Sequence, residues 1–219
     1  MAEQKPITHR SDFFTNAEDF FEKNKKTIAI GITSVLALVI AAVAFYNFYL
    51  PSQEKEAQAQ IFKAQQYFEK DSFQLALNGD GNYDGFLQII DDYGWTKACN
   101  LSHYYAGICY LRLGEYDNAI RHLKKFSGSE PVVGAVALGA LGDAYSEKSD
   151  LDKAISYYKK AAGKGNNSLI TPYYLFKAGL ALKVKGKNAE ALELFRKIKS
   201  EYPNSNEGRD IEKYIAMVS

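Results

Sequence analysis

Between Thr27 and Leu50 the chain runs for 24 residues without a charged side chain, TIAIGITSVLALVIAAVAFYNFYL, dominated by Ile, Leu, Val and Ala. As a helix rising ~1.5 Å per residue, this run reaches ~36 Å, more than the ~30 Å hydrocarbon core of a bilayer. Lys23, Lys25 and Lys26 stand before it, and Phe45, Tyr46, Phe48 and Tyr49 crowd its far end, where amphipathic rings favour the headgroup level. Pro51 follows at once and is expected to stop the helix. The run reads as a single membrane span that separates a short tail from a large domain.

Ala42-Val43-Ala44 fits the small-x-small pattern of a cleavable signal. Against cleavage stand a 26-residue leader and an apolar run longer than the ~7–15 residue core of a signal, so a retained anchor is the better reading. Beyond the span only Lys55 and Lys63 balance the three lysines before it. That asymmetry predicts a cytoplasmic N-terminus and a large domain on the far side of a bacterial inner membrane. Within the span, Ser34, Ala37, Ala41 and Ala44 follow a 3-4-3 spacing and fall in one ~80° sector of a helix. A face of small residues permits close packing with a partner helix, although alanine is common in spans generally. In the tail, Phe13, Phe14, Ala17, Phe20 and Phe21 recur at helical spacing, and Thr15 with Glu18 forms a capping box, which predicts a helix from about Ala17. Its aromatic stripe would lie in the inner interface or dock on a cytoplasmic partner.

Charge is balanced on both sides of the span, with 5 basic and 5 acidic residues in 1–26 and 22 basic and 21 acidic in 51–219. Neither part has the basic excess of a nucleic-acid binder. Cys99 and Cys109 stand ten residues apart on one predicted helix, ~15 Å along its axis and beyond disulfide reach. They read as small buried hydrophobes. Cys99 and His103 share a helix face at i, i+4, but no third ligand or orienting residue accompanies them, and His122 falls on an outward position of the next helix. An enzyme is therefore the weaker reading, and no cofactor is implied. Asp80-x-Asn82-x-Asp84-Gly85 followed by Asp91 resembles a calcium loop. The last position is Asp instead of the bidentate Glu, and Phe86 to Ile90 look like core helix, so the structural turn is preferred.

From Asn100 onward the sequence repeats. Gly107, Gly142 and Gly179 correspond, as do Ala119, Ala154 and Ala191, both at intervals of 35 and 37 residues. Two antiparallel helices per repeat approach closely only where side chains are small. Glycine serves that need in the first helix and alanine in the second, with Leu123, Tyr158 and Phe195 filling the next turn. Gly114 and Gly186 fall at the hairpin turns, and Pro131 and Pro203 close two repeats. This is the period and punctuation of a tetratricopeptide repeat (TPR). The expectation is an all-α TPR solenoid with an N-terminal single-pass transmembrane helix. Its parts are a tail over 1–26, the span over 27–50, a degenerate hairpin with a loop over 51–99, three repeats over 100–203 and a capping helix over 204–219.

Solenoids present a concave surface lined by first helices. In TPR register the groove positions are Leu101, Tyr104, Ile108 and Arg112 in the first repeat. Val136, Gly139 and Asp143 follow in the second, and Tyr173, Phe176 and Leu180 in the third. This set is aromatic and apolar with few charges, and suits extended or helical protein segments; the other reading is that neighbouring repeats bury some of these side chains. An anchor, a short tail and a TPR domain of this size resemble the ancillary SecYEG translocon subunit family (YfgM-like) and the anchored TPR proteins of Bacteroidetes-type bacteria. That resemblance implies a place beside the Sec translocon, a periplasmic membrane-anchored chaperone as partner, and secreted chains as clients. The runner-up is a TPR scaffold of envelope assembly or cell division unrelated to Sec.

Overall fold

A computed structural model describes residues 9–219, with side chains at residue 18 and from residue 20 onward. Regular structure among these residues is entirely helical. The chain divides into two compact units, one up to Ser52 and one from Gln53 to Ser219.

The first unit is built on α1 (His9–Ala44), which belongs to a helical stretch long and apolar enough to cross a membrane. Two expectations need correction here. Residue 15 is already helical, so Thr15 and Glu18 do not mark a start near Ala17. The side chains of Phe13, Phe14 and Ala17 lie outside the described residues, while Phe20 and Phe21 are exposed. The second correction concerns Pro51, which does not stop the helix. One π-helical turn, Phe45–Tyr49, follows α1, and α2 (Leu50–Glu69) holds Pro51 as its second residue. A proline inside a helix gives no N–H, and its ring crowds the carbonyl four residues back. The wider turn, in which the Leu50 N–H reaches the Phe45 carbonyl, makes room for that ring without breaking the helix.

The second unit continues along α2 into two short helices, α3 (Phe73–Asn78) and α4 (Phe86–Asp92). Three regular hairpins follow: α5 (Lys97–Arg112) with α6 (Tyr116–Lys125), α7 (Pro131–Glu147) with α8 (Leu151–Gly165), and α9 (Ile170–Val184) with α10 (Asn188–Glu201). Local signals start these helices. Thr96 Oγ1 accepts from the Cys99 N–H at 3.0 Å, Asp150 caps α8 through the Lys153 N–H, and Pro131 occupies the first turn of α7. The turns inside the hairpins hold residues in the left-handed region at matching positions: Gly114 (φ 78°), Ser149 (φ 60°) and Gly186 (φ 76°).

The repeat glycines do what their spacing predicts. A Cβ on Gly107 would lie 2.5 Å from Leu123 Cγ, and one on Gly142 would lie 2.5 Å from the Tyr158 ring; Phe195 covers Gly179 in the same way. Each second helix thus seats one large side chain on a bare patch of the first. Leu123, Tyr158, Phe195, Leu182 and Ile198 form the main core. A separate core joins α2 to α5 through Ile61, Leu77, Phe86 and Ile89. The final helix is divided at Asp210 into α11 (Asn206–Arg209) and α12 (Ile211–Ala216), with Ile211 and Val218 buried against the last repeat.

Candidate protein-binding trough

An open trough of about 790 Å³ runs along the first helices from Phe68 through Tyr104 and Val136 to Tyr173. A second hollow of about 410 Å³ shares Ser146, Tyr158 and Lys177 with it and extends it to Leu180 and Val184. The result is elongated, not a closed chamber for a small ligand.

Its floor is a polar group spanning two repeats. Gly142 lets the Tyr158 ring lie flat on α7, which brings its hydroxyl within 2.7 Å of Asp143 Oδ1 as a donor. Lys177 on α9 reaches the same carboxylate at 2.5 Å. Its ammonium sits 5.3 Å from the ring centroids of both Tyr158 and Tyr173. Burial, and then the adjacent Asp143 carboxylate, push the Tyr158 hydroxyl far above the ordinary tyrosine range; burial does the same for Tyr174. Both therefore remain neutral hydroxyl groups, able to donate. Tyr116 donates to Glu147 at 3.3 Å on the trough wall, beside Arg112. The trough thus combines tyrosine rings with side-chain donors and acceptors, the requirements for gripping a peptide by its main chain.

Of the ten groove positions read from the sequence, Tyr104, Ile108, Arg112, Val136, Asp143 and Tyr173 line the main trough, and Leu180 lines its extension. Three are placed elsewhere. Gly139 is buried beneath the Tyr174 ring and serves the approach of α9 to α7. Leu101 packs on the separate core that joins α2 to α5, and the Phe176 ring lies edge-on to Tyr214 at 4.6 Å, under the terminal helices. Register arithmetic missed Tyr158, Tyr174 and Lys177. A signal for Lys177 was present, because Asp143 and Lys177 stand 34 residues apart, about one helical turn short of a repeat.

In the span, Ser34, Ala37, Ala41 and Ala44 are exposed, and the Ser34 hydroxyl donates back to the Ile30 carbonyl at 2.8 Å.

His122 is not outward. It is buried, with Nδ1 3.1 Å from Nδ1 of His103. One ring must donate and the other accept, so the pair holds together only while at least one is neutral. Burial, then His103 and nearby cations, lower the His122 pKa to about 4; burial and then Lys125 lower that of His103. Among the described residues no group of three potential ligating side chains forms around Cys99 and His103. Cys99 Sγ instead donates to the Ile90 carbonyl at 3.7 Å, and burial raises the Cys109 thiol to about 12. In the loop that resembled a calcium site, Asp80 is already engaged. It accepts from the backbone N–H groups of Asn82 and Tyr83, both at 2.9 Å, and from the Tyr67 hydroxyl at 2.5 Å. These bonds, that of Tyr67 first, hold its carboxyl below the usual range.

No curated protein sequence matches the chain. Family models match it in two places, residues 104–168 and residues 173–205, and each is a tetratricopeptide repeat. TPR proteins are generally interaction scaffolds without catalysis, and no enzyme family is indicated. The helical pairs, the glycine contacts and these matches agree: the chain carries a tetratricopeptide-repeat domain.

Proposed function

We propose that this chain is a membrane-anchored TPR interaction protein whose trough holds an extended or helical segment of a partner. The observation that carries the reading is the tyrosine-walled trough with the Asp143–Tyr158–Lys177 floor, in a domain joined to a helix long enough to span a bilayer. The lysine asymmetry around the span supports a cytoplasmic N-terminus and a TPR domain outside. On its resemblance in layout, the protein is an accessory subunit of the Sec translocon that scaffolds a periplasmic chaperone or receives secreted chains. The small-residue face at Ser34, Ala37, Ala41 and Ala44 is the helix-packing contact within that complex.

The experiment is native purification in mild detergent with identification of the co-purifying proteins, alongside an Ala37→Leu/Ala41→Leu variant. Leucine keeps the segment apolar, so insertion should persist while recovery of the translocon subunits falls. Recovery of division or envelope-assembly proteins instead would reassign the scaffold. Undiminished recovery by the variant would reduce the anchor to a tether.

A further inference from the structure

The two ends of the solenoid's helices differ in chemistry. Connections of three to five residues between α5 and α10 reverse the chain each time, so α5, α7 and α9 run in one direction. The first helix runs with them: Glu54 near the start of α2 accepts from the Lys97 N–H at 2.6 Å, and Phe68 near its end meets Tyr105 at 5.0 Å. The corners that precede α5, α7 and α9 therefore share one edge of the domain. Asn100 bonds Ser127 in both directions, at 3.1 and 2.8 Å, which ties the first corner to the second. Gly165 lies against Ile170 and Ala135, which ties the third to the second.

At the opposite edge, the hairpin turns are closed by ion pairs between successive repeats, Lys148 with Asp117 and Lys185 with Asp152. Among the described residues no ion pair joins successive corners at the corner edge. Each corner displays one apolar side chain: Trp95 (79% exposed), Val132 (52%) and Leu169 (73%). Beside them stand Lys124, Lys125, Lys159, Lys160 and Lys164, none in an ion pair among the described residues. Helix C-termini favour lysine in any case. What exceeds that preference is local: Glu130 is the one carboxylate in 121–130 and 158–170, whereas Glu54, Asp91 and Asp92 stand at the Trp95 corner and Glu201 lines a hollow with Ser168. The chain also reaches the domain at this edge, because Glu54 lies four residues beyond Leu50, ~6 Å of helix.

We propose that this corner edge docks on the surface of the membrane that the anchor crosses. Trp95, Val132 and Leu169 enter the headgroup layer, where an indole is favoured, and the lysines meet anionic lipid. The docking rests on the anchor reading above and adds to it a fixed posture, with the hairpin-turn edge directed away from the bilayer.

Trp95 is the only tryptophan in the sequence, so tryptophan fluorescence reports this corner alone. The full chain is reconstituted in phosphatidylcholine vesicles with and without phosphatidylglycerol, using acyl chains brominated near the headgroup or left unbrominated. The expected result is a blue-shifted Trp95 emission and about a twofold loss of intensity with brominated anionic vesicles. A Lys125→Glu/Lys159→Glu/Lys160→Glu variant of unchanged helicity should lose most of that quenching. Vesicle-bound protein whose Trp95 ignores bromine and stays as open to aqueous acrylamide as in detergent overturns the docking alone. Quenching that is indifferent to both lipid charge and the variant does the same. Protein that fails to float with the vesicles overturns the anchor and the docking with it.

Discussion

The three regular hairpins and the irregular segment before them solve the same packing problem by different means. From α5 to α10, each pair is held by a large side chain on a bare glycine, Leu123 on Gly107, Tyr158 on Gly142 and Phe195 on Gly179. Between α2 and α5 no such pair recurs. There the chain is turned by Asp80, whose carboxylate gathers two backbone N–H groups and the Tyr67 hydroxyl. Steric repetition makes the hairpins interchangeable and lets their first helices align into a trough. A polar knot makes one turn and aligns nothing beyond it.

The sharpest way to break this comparison is to fill a repeat glycine. Gly142→Leu would push the Tyr158 ring from its seat and separate its hydroxyl from Asp143. Overpacking of this kind costs ~1–3 kcal/mol or more, a loss of ~2–10 °C in melting midpoint for a chain of this size. An unchanged midpoint in detergent-solubilised protein would contradict the glycine-seat account.

The buried His103–His122 pair supplies the next effect, and its sign follows from linkage. Both folded-state values are depressed below the ordinary histidine pKa of ~6.5, so the folded state binds fewer protons than the unfolded one. The stabilisation is complete above pH ~6.5 and is lost as pH falls toward about 4. Thermal midpoints should therefore drop more steeply between about pH 7 and about pH 5 in the native chain than in a His103→Leu/His122→Leu variant. Parallel slopes would remove the pair from the acid response.

Asp80→Ala tests the other side of the comparison. Amide exchange should quicken across α3 and α4 while α7 to α10 keep their protection. Uniform acceleration would show the two regions to be one cooperative unit. The smallest effect is expected at Ser149, the only hairpin turn of the three without glycine. Ser149→Gly relieves its left-handed backbone and should stabilise by up to ~1 kcal/mol, read as a small rise in midpoint.

The same comparison explains what the sequence discloses. Gly107, Gly142 and Gly179 recur three times in register, so the helical pairs and the direction of their packing are legible before any coordinates. Asp80 occurs once, and nothing repeats to distinguish a knot from a metal loop. α3 was not foreseen, because a six-residue helix between two turns has no period to read. Pro51 reads as a stop because its accommodation depends on a π-helical turn that no residue pattern announces. His122 was placed outward by counting along one helix, whereas its position is decided by His103 on another. Gly139 carried an unread message, since a bare position off the hairpin seam implies a large neighbour, here Tyr174. Opposite charges 31, 34 and 33 residues apart (Asp117 with Lys148, Asp143 with Lys177, Asp152 with Lys185), each a few residues short of one repeat, were a second unread signal, and the middle pair forms the trough floor.

The central claim is that the trough, and not the outer surface of second helices, takes the partner. It is tested most directly by a photo-reactive amino acid placed in intact cells at Tyr173, on the trough wall, and in a parallel strain at Ser156, exposed on α8. The account predicts adducts from Tyr173 that contain a translocon subunit, its anchored chaperone or a secreted chain, with Ser156 silent. Adducts of the same proteins in equal yield from Ser156, or none from Tyr173, would contradict it.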